Sequence, residues 1–554
     1  MLWADTTPAK QENPMRCVAA DNPARSAIVR QLRPPEKDAL MRWRVWWRLF
    51  LPFLLLVVGA RPLQAVEYGE LVENNGTWVF KNTEDPVFKL MRDKGWITHE
   101  RYFRVADQTG NNWIEPADAV LNQRRELDWN RYLKTSLHLP DWIDLGLEQR
   151  TRLESYDHPW RASQVIGSGQ SDPQIALRSR LRVGLGGHGP LRFLFEGQDA
   201  RAYLNKDPGD FRDTTTVNEF DVLQLLGSLT VDNLLGSGLR TDVHFGRMTM
   251  DFGRRRLIAR NDFRNTTNSF DGLHWQIGRE QTWRLRAFFV EPVVRDDVQL
   301  DRQYDTSLFW GGYLESRHVP WLQLDVYYFG LNDRHVANVA DHRTYSTFGG
   351  RLTKDPKPGE PDYEIETTWQ VGTRGATDHF AYFQHLDLGY TLNIPWTPRL
   401  LFHYDYASGD RQPGDSQDAG FDTLFGARRW EYGPTGIWGP FFRTNLHSPG
   451  WRLILTPAPG WTVQLKHRVW YLAQSKDFFG SSGLRDTTGS AGTSLGHDLE
   501  LRAQWSMHRN LDIDTGYVHW FKGSYFDRLP AVAGLPAEGN TDSDYLYVQL
   551  RVRI

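Results

Sequence analysis

The sequence contains almost no cysteine and carries almost no net charge. Cys17 is the single cysteine in 554 residues, so we expect neither a disulfide framework nor a cysteine-ligated metal. A net charge of −3 gives no indication of a nucleic-acid partner. Downstream of residue 65, no apolar run approaches the roughly 18 residues that a membrane-spanning helix needs. If the chain crosses a membrane, it must therefore do so as a closed β-barrel, because lipid cannot satisfy unpaired backbone groups.

Residues 41–65 have the composition of a secretory signal peptide. Three arginines precede an apolar stretch that is too short for a membrane span, and small residues suited to cleavage follow at Ala60 and Ala65. Because such a signal begins at its own methionine, we expect translation to start at Met41. Residues 1–40 are then an upstream extension that results from a misassigned start codon.

The mature chain is expected to begin near Val66 and to contain two regions. Residues 66–140 are mixed and polar, and we interpret them as a periplasmic N-terminal extension or plug. In residues 141–554, apolar and polar side chains alternate. Since successive side chains of a strand point to opposite faces, each alternating segment predicts a strand with one apolar and one polar face. Eighteen strands are predicted, at 143–155, 174–186, 191–203, 219–233, 239–250, 270–278, 282–291, 306–316, 321–330, 345–355, 362–372, 384–394, 399–408, 450–457, 461–473, 497–507, 511–521 and 544–554.

The predicted connections between these strands alternate between short and long. Tight turns such as 187–190 and 457–460 are followed by long connections such as 204–218 and 474–496. An up-and-down outer-membrane β-barrel has this asymmetry, with short periplasmic turns, long extracellular loops and an even number of strands. Aromatic residues at 13% and a mean hydropathy of −0.55 fit a barrel with a polar interior and rings at the membrane interfaces. The alternative, a soluble β-sandwich, gives no reason for a long loop at every second connection.

In such a barrel the polar face of each strand lines the lumen. The alternation places both cations and carboxylates there. We predict substrate contacts in the lumen at Arg178, Arg180, Arg182, Arg192, Glu196, His244, Arg247, Arg254, Arg256, Arg260, Arg284, Arg286, Lys466, Arg468, Arg551 and Arg553. The carboxylates predicted on the same lining are Glu148, Glu154, Asp325, Glu364, Glu366, Asp405, Asp498, Glu500, Asp512 and Asp514.

Two interpretations of these charges stay open. A confined set of arginines focuses a positive potential and attracts anions, and guanidinium groups bind carboxylates bidentately, which suits a polymer with one carboxylate per sugar. Alternatively, the charges only solvate a wide lumen and pair with one another. A polymer that slides through the lumen needs weak binding that is spread over many sites.

The stretch 246–272 is the most distinctive part of the chain, because a strand runs into an arginine-rich connection and out into another strand. It resembles the signature of the alginate export family, outer-membrane β-barrels through which bacteria secrete the anionic polysaccharide alginate. Weaker matches lie at 146–154 and 220–224, and the resemblance covers residues 130–554. The residues that carry it are Gly246, Arg247, Phe252, Gly253, Arg256, Leu257, Asn265, Phe270, Asp271 and Gly272.

The resemblance implies an all-β fold, a monomeric transmembrane antiparallel up-and-down barrel whose arginine-lined constriction is narrowed by inward-folded loops. It implies passive export of alginate or a similar polyuronate. The implied partners are the polysaccharide, outer-membrane lipid, the barrel assembly machinery and a periplasmic polysaccharide-secretion scaffold, with no cofactor, metal or nucleic acid. Met248 and the long loop 409–449 depart from the family's usual pattern.

Two rival functions are compatible with the same residues. An anion- or sugar-selective porin for small solutes shares the fold and differs in the size of its constriction. An outer-membrane enzyme needs catalytic groups, and the mature chain has no His-Glu-x-x-His motif and no cysteine nucleophile. The pairs Asp242 with His244 and His403 with Asp405 share a strand face, but same-face polar pairs occur on nearly every predicted strand.

Overall fold

The computed structural model describes one hairpin near the N-terminus and most of the chain from residue 142 onward. The chain divides into two compact units, Met1–Glu100 and Arg101–Ile554. In the first unit, β1 (Leu71–Asn74) pairs with β2 (Thr77–Phe80) as an antiparallel hairpin. The predicted upstream extension, the signal peptide and most of the predicted periplasmic extension lie outside the described residues. Those residues are 71–74, 77–80, 133, 137–140, 142–158, 173–186, 190–204, 214–279, 282–303, 306–319, 322–334, 338–435, 437–458, 460–480, 482–508, 511–533 and 540–554.

Strands make up nearly all the regular structure described in the second unit. They are β3 (Ile143–Asp157), β4 (Gln174–Leu185), β5 (Leu191–Tyr203), β6 (Asn218–Val231), β7 (Arg240–Met248), β8 (Phe270–Arg279), β9 (Trp283–Val294), β10 (Arg302–Gln303), β11 (Ser307–Val319), β12 (Leu322–Asp333), β13 (Arg343–Lys354), β14 (Pro361–Arg374), β15 (Thr377–Thr391), β16 (Arg399–Ala407), β17 (Gln417–Asp418), β18 (Leu446–Leu455), β19 (Trp461–Tyr471), β20 (Ser494–His508), β21 (Leu511–Lys522) and β22 (Ser543–Arg553).

Eighteen of the described strands form one closed antiparallel ring, in which neighbours in sequence pair with each other. β10 and β17 are two-residue additions: β10 pairs with the end of β9, and β17 runs parallel to the start of β15. The ring closes where β22 pairs with β3, with Tyr545 opposite Tyr156 and Arg551 opposite Arg150. The predicted fold class, the strand number and the up-and-down order are confirmed.

The last strand shows how the sequence separates the two surfaces of the wall. Leu546 and Leu550 are 49% and 41% exposed, because they point outward. Tyr545 and Tyr547 alternate with them and are fully buried inside the ring. An apolar outer surface and a polar or aromatic inner one are what a barrel in a lipid bilayer requires.

Connections are short at the end of the barrel where β3 begins and β22 ends, and mostly longer at the other end. One connection was predicted wrongly. β14 and β15 pair without a break up to Arg374 opposite Thr377, so that Gly375 and Ala376 form a two-residue turn. The prediction began this strand at residue 384, because aromatic side chains on both faces of its first half obscure the alternation.

Two 3₁₀-helices (Leu234–Gly236 and Val339–Asp341) and two α-helices have described bounds, and both α-helices lie in connections at the long-loop end. α1 (Arg429–Tyr432) lies between β16 and β18, and α2 (Ser524–Ala533) lies between β21 and β22. In the described part of the chain, no helix combines the length and the apolar character that crossing a membrane requires.

Leu501→Arg tests the outward face of the wall. Leu501 lies near the middle of β20, is 52% exposed and is opposite Leu465 and Tyr517 on the neighbouring strands. An arginine there places a charge in hydrocarbon, and we expect it to lower the free energy of unfolding by about 2–4 kcal/mol. The measurement is urea-induced unfolding of the protein in phospholipid bilayers, followed by tryptophan fluorescence.

Leu392→Arg is the matched control, because Leu392 is 44% exposed but lies in the turn after β15. We expect this change to cost no more than about 1 kcal/mol, as for charges near the membrane interface. Equal costs for the two variants would contradict the assignment of the outward face of β20 to lipid.

Candidate functional site in the barrel lumen

The connection between β7 and β8 folds into the barrel, and we call its residues 249–269 the inner loop. Phe252 and Leu257 of this loop are 3% and 4% exposed. The ring of Phe252 contacts the inward-facing rings of Phe288 and Tyr313, with centroids 5.4 and 5.6 Å apart. These aromatic contacts anchor the first half of the inner loop on the wall formed by β9 and β11.

The inner loop also pairs with the long loop between β16 and β18, residues 408–445. Ile258 forms a parallel bridge with Phe425. The Phe425 amide donates to the Leu257 carbonyl at 2.9 Å, and the Ala259 amide donates to the Phe425 carbonyl at 3.2 Å. The two loops thus satisfy part of each other's backbone hydrogen bonding inside the barrel.

Gly253 of the sequence motif has a structural reason to be glycine. Its φ is +51°, in the left-handed region, and a Cβ atom there would lie 2.4 Å from the Tyr313 hydroxyl. That hydroxyl donates to Asp325 at 2.8 Å. A side chain at position 253 would therefore displace a ring on which Phe252 rests and break its hydrogen bond.

One side of the lumen is rich in arginine, and we call it the arginine wall. It consists of the inward-facing residues of the three adjacent strands β22, β3 and β4. Its cations are Arg551, Arg553, Arg150, Arg152, Arg178, Arg180 and Arg182, and its carboxylates are Asp144, Glu148 and Glu154. Seven guanidinium groups face three carboxylates, so this wall carries a positive surplus.

Asp262 of the inner loop is held by three arginines of this wall. Its Oδ1 lies 2.8 Å from Arg178 Nη2 and 3.3 Å from Arg180 Nη1, and its Oδ2 lies 3.0 Å from Arg551 Nη2. Burial alone favours the neutral carboxyl, but these charges outweigh it and hold the pKa of Asp262 well below its ordinary value. The carboxylate is therefore ionised at neutral pH and fixes this side of the loop.

Arg150 and Arg152 bind the backbone around Asp262. Arg150 donates to the carbonyl of Asp262 at 2.5 Å and to the carbonyl of Arg264 at 2.8 Å, and Arg152 donates to the carbonyl of Phe263 at 2.5 Å. Neither arginine was among the predicted lumen contacts, although both lie on the predicted inward face of β3. The alternation itself was the signal that could have found them.

Asn265, another motif residue, is fully buried. Its Nδ2 lies within 3.1 Å of the carbonyl oxygens of Leu177, Arg201 and Thr216, and its Oδ1 accepts from Arg150 at 2.9 Å. The position therefore needs a side chain that donates and accepts at once, which asparagine provides.

The other side of the inner loop presents cations to carboxylates. Arg254 donates to Glu364 at 3.0 Å, and Arg256 donates to Glu364, Glu366 and, at 2.8 Å, to Glu431. Burial disfavours the charged guanidinium, but the surrounding carboxylates outweigh it and raise the pKa of Arg256 well above its ordinary value. In this half of the loop the loop supplies the cations and its partners supply the carboxylates, which is the reverse of the arrangement at Asp262.

The two sets of contacts lie on opposite sides of the barrel. β4 carries Arg178 and Arg180, β14 carries Glu364 and Glu366, and these strands are nine places apart in the ring of eighteen. The inner loop therefore crosses the lumen. It turns a carboxylate towards the arginine wall and guanidinium groups towards the wall opposite.

Other predicted lumen residues lie in the inner loop or on the wall beside it. Arg260 donates to Glu196 at 3.0 Å, and Arg286 lies over the ring of Phe252, 3.6 Å from its centroid. Arg192 donates to Thr230 at 2.6 Å. Glu196 of β5, through Arg260 of the loop, and Arg286 of β9 therefore support the loop from the wall.

The remaining predicted cations pair with carboxylates on the next strand or, for Arg468, on the next strand but one. These pairs are Lys466 with Glu500 at 2.9 Å, Arg468 with Asp405 at 2.5 Å, Arg284 with Glu315 at 2.6 Å and Arg553 with Asp512 at 3.2 Å. A solute carboxylate that binds one of these cations has to compete with an existing ion pair.

Arg247 does not line the lumen, so the prediction that it contacts a substrate there is wrong. It shares the outward face of β7 with Phe245, which is 70% exposed, and it binds both oxygens of Asp271 at 2.8 and 2.9 Å. His244 precedes Phe245 and faces inward, where its ring stacks on that of His274 with centroids 5.5 Å apart. Successive side chains of a strand point to opposite faces. Because His244 faces inward, Arg247, three residues later, faces outward.

The two same-face pairs of acid and histidine are not bonded as dyads in the contacts that the structure describes. Asp405 lies 2.7 Å from His385 Nδ1, whereas His403 Nδ1 lies 3.5 Å from Asp387. Asp242 accepts hydrogen bonds from Thr230, Arg240 and Gln276.

The pentapeptide 492–496 has the Gly-x-Ser-x-Gly pattern of a nucleophile elbow. In a hydrolase that pattern places the serine on a sharp turn between a strand and a helix. Here Ser494 is the first residue of the barrel strand β20. The structural context of an elbow is therefore missing at this serine.

A closed barrel with an apolar outer surface and a charged lumen defines this protein as an outer-membrane β-barrel channel. The model of the alginate export family matches residues 141–533, and the chain belongs to that family. The identification made from residues 246–272 is thereby confirmed.

Solved structures of similar fold come from Pseudomonas aeruginosa. OccK8 (OprE) has a TM-score of 0.50 at 12% identity, with 74% of this chain and 98% of that chain covered. The outer-membrane protein OpdK has a TM-score of 0.49 at 13% identity, with 74% and 99% covered. At this identity the likeness shows the fold alone. No curated protein matches the sequence.

Asp262→Asn tests the attachment of the inner loop to the arginine wall. Removing the carboxylate takes away the contact of the loop with Arg178, Arg180 and Arg551, although Arg178 and Arg180 keep Glu148 at 2.7 and 3.7 Å. The side chain of Asp262 is 31% exposed, so we expect a cost of about 2 kcal/mol, less than for a fully buried pair. Amide hydrogen exchange of residues 255–268, measured by mass spectrometry, should become about 30-fold faster.

Asp232→Asn is the control, because Asp232 is 82% exposed and its contact with Arg240 is 3.6 Å long. We expect no change in the inner loop for this variant. Unchanged exchange in Asp262→Asn would show that the loop is held by its other contacts and not by this carboxylate.

A buried pair of acids ties down the loop between β9 and β11. The Asp301 amide donates to Asp221 at 3.0 Å, Asn218 donates to the Asp301 side chain at 2.8 Å, and Arg247 donates to the Asp301 carbonyl at 3.2 Å. Burial and the charge of Asp221 raise the pKa of Asp301 to about 7, against the opposing hydrogen bond from the Asp296 amide.

The loop carrying Asp301 should therefore loosen at alkaline pH. The pKa of Asp301 in the folded protein lies above its ordinary value of 3.8. The stabilisation of the loop by neutral Asp301 is therefore complete below pH 3.8 and is lost as the pH rises through about 7. Above that pH, Asp301 is charged beside Asp221, with Arg295 and Arg247 as the neighbouring cations. Hydrogen exchange of residues 295–303, corrected for intrinsic rates, should be faster at pH 8 than at pH 6.

Asp301→Asn removes the titrating group while keeping the shape of the side chain. The pH dependence of exchange in residues 295–303 should disappear in this variant. If the variant and the parent protein show the same pH dependence, Asp301 is not its origin.

Proposed function

We propose that this channel passes an anionic polysaccharide, alginate or a similar polyuronate, across the outer membrane without using energy. Membership of the alginate export family supports the class of cargo. The observation that carries the proposal is the arginine wall, with seven arginines and three carboxylates on three adjacent strands. A positive surface inside low-dielectric walls raises the local concentration of anions.

Binding of the cargo at this wall is an exchange of carboxylates. Arg178, Arg180 and Arg551 are engaged with Asp262, so a uronate that reaches them takes the place of a carboxylate already there. Such an exchange changes the free energy of binding little, because one charge-assisted contact replaces another. Binding at each site then stays weak enough for a polymer to move on.

The inner loop sets what the channel admits. It crosses the lumen between the arginine wall and β14, so the cargo has to pass beside it or displace it. On this proposal a periplasmic secretion scaffold delivers the polymer, the barrel assembly machinery inserts the chain, and the channel works as a monomer in outer-membrane lipid.

The second candidate function is an anion- or sugar-selective porin for small solutes. The observation that favours it is the attachment of the inner loop to both walls, because a lumen divided in this way suits small solutes better than a polymer. The two functions differ in what blocks the current: long uronate chains in one case and small anions in the other.

The double variant Arg192→Gln/Arg553→Gln tests the contribution of the more accessible lumen cations, whose side chains are 30% and 27% exposed. Single-channel recording across a salt gradient should show anion selectivity in the parent protein and less of it in the variant. At about 0.7 kcal/mol for each partly exposed contact, the concentration of oligouronates that halves the current should rise about tenfold.

Arg374→Gln is the matched control, because Arg374 is 48% exposed beside the turn between β14 and β15. We expect neither selectivity nor block to change in this variant. Cation selectivity of the parent protein, or equal block by uronates and neutral oligosaccharides, would contradict the proposed cargo. Block by small anions alone would favour the porin.

A further inference from the structure

Three adjacent strands, β14, β15 and β16, carry two inward-facing rows of acids and histidines at the same level of the lumen. In one row two carboxylates lie directly opposite each other, an arrangement that repels unless a cation lies close by. The rows are Glu364, Asp387 and His403, and Glu366, His385 and Asp405.

His385 is oriented towards the pair of carboxylates. Its Nδ1 lies 2.7 Å from Asp405, which leaves Nε2 facing the other way. That Nε2 lies 3.4 Å from Asp387 Oδ1, and the same oxygen lies 3.5 Å from His403 Nδ1. A charge-assisted hydrogen bond is about 2.7–2.9 Å long, so neither contact has the length of one.

The facing atoms are buried and make ion-pair contacts of 3.4 and 3.5 Å but no hydrogen bond. His385 and Asp387 are 2% and 5% exposed, and neither His385 Nε2 nor Asp387 Oδ1 has a hydrogen-bond partner among the described residues. Leaving such an atom unpaired costs about 1–3 kcal/mol. One ligand atom each from Glu364, His385 and Asp387 lies within 4.8 Å of the others, close enough for a single ion to contact all three.

We propose that Glu364, His385 and Asp387 bind a divalent transition-metal ion with the ligand preferences of Zn²⁺. Such an ion binds imidazole nitrogen and carboxylate oxygen at about 2.0–2.2 Å, which places two tetrahedral ligands roughly 3.3 Å apart. The 3.4 Å between His385 Nε2 and Asp387 Oδ1 matches that spacing. Asp405 then orients the metal-binding imidazole, as a carboxylate behind a histidine ligand does, and His403 is the nearest further ligand.

The arginines near the site couple it to the inner loop. Arg254, Arg256 and Arg351 approach Glu364 at 3.0, 2.5 and 3.6 Å. An ion at Glu364 competes with Arg254 and Arg256 for this carboxylate, and both arginines belong to the inner loop. Metal binding therefore weakens the attachment of the loop to β14. The proposal does not depend on which solute the channel carries.

Cobalt titration of the full chain, purified from outer membranes in detergent and stripped of metal, tests the proposal. Co²⁺ is the probe, because its visible absorption reports the ligands and geometry of a site that prefers Zn²⁺. Cys17, the single cysteine, lies upstream of the expected mature start at Val66, so no thiol competes for the ion. We expect one equivalent of Co²⁺ to bind with a visible spectrum, displaced by Zn²⁺, and at least tenfold weaker binding in His385→Gln and in Asp387→Asn.

The double variant His467→Gln/His497→Gln is the control, because these two rings face outward with nitrogens 3.3 Å apart and lie on strands other than those of the proposed site. It should keep the full Co²⁺ signal. Asp405→Asn should weaken binding without abolishing it. Retention of the barrel in each variant is checked by heat-dependent migration in detergent gels.

Absence of Co²⁺ binding in the folded parent protein would overturn the proposal. So would binding that is unchanged in both His385→Gln and Asp387→Asn, or lost in the histidine control. Should His385→Gln fail to form the barrel, Asp387→Asn and His403→Gln carry the same test. None of these outcomes depends on channel conductance, so they are independent of the proposed cargo.

Discussion

The inner loop carries charges of opposite sign on its two sides, and the walls it touches carry the complementary charges. Asp262 meets Arg178 and Arg551 on one side, and Arg256 meets Glu364 on the other. Each of these groups is costly to bury alone and is tolerated only because its partner is present. The loop therefore has one way to lie across the lumen. Reversing it would place like charges together on both walls.

This constraint explains why so many ionisable groups are buried in the lumen. A barrel wide enough for eighteen strands cannot be filled by the side chains of its wall alone, and loops that fold inward bring their own polar groups with them. The arginine wall satisfies the backbone carbonyls of the inner loop as well as Asp262, through Arg150 and Arg152. Its positive charge thus stabilises the inner loop, and the proposed anionic cargo would contact only the arginines that the loop leaves accessible.

The barrel could be predicted from the sequence because alternation is a local property. A strand such as β22 shows its lipid face in Leu546, Val548 and Leu550 without reference to any neighbour. The failures have local causes as well. Aromatic residues on both faces concealed the start of β15 at Thr377, and Arg247 was assigned to the lumen although Phe245 shares its face.

The candidate site was predictable only in its composition. Alternation placed Arg178 and Arg180 in the lumen, but nothing local indicated that Asp262 would occupy them. The sequence motif grouped Arg256 with the wall arginines as one cationic surface, whereas the structure turns it towards Glu364 on the opposite wall. Contacts between a loop and strands nearly a hundred residues away depend on the path of the whole chain, which strand periodicity does not encode.

The most direct test of the account is the single-channel conductance of a protein in which residues 251–268 are replaced by a short glycine-serine turn joining β7 to β8. Heat-dependent migration in detergent gels confirms that the barrel has formed. If the inner loop crosses the lumen as described, conductance should rise clearly above that of the parent protein. Conductance equal to that of the parent protein would contradict the account, because a loop that divides the lumen cannot be removed without widening the passage.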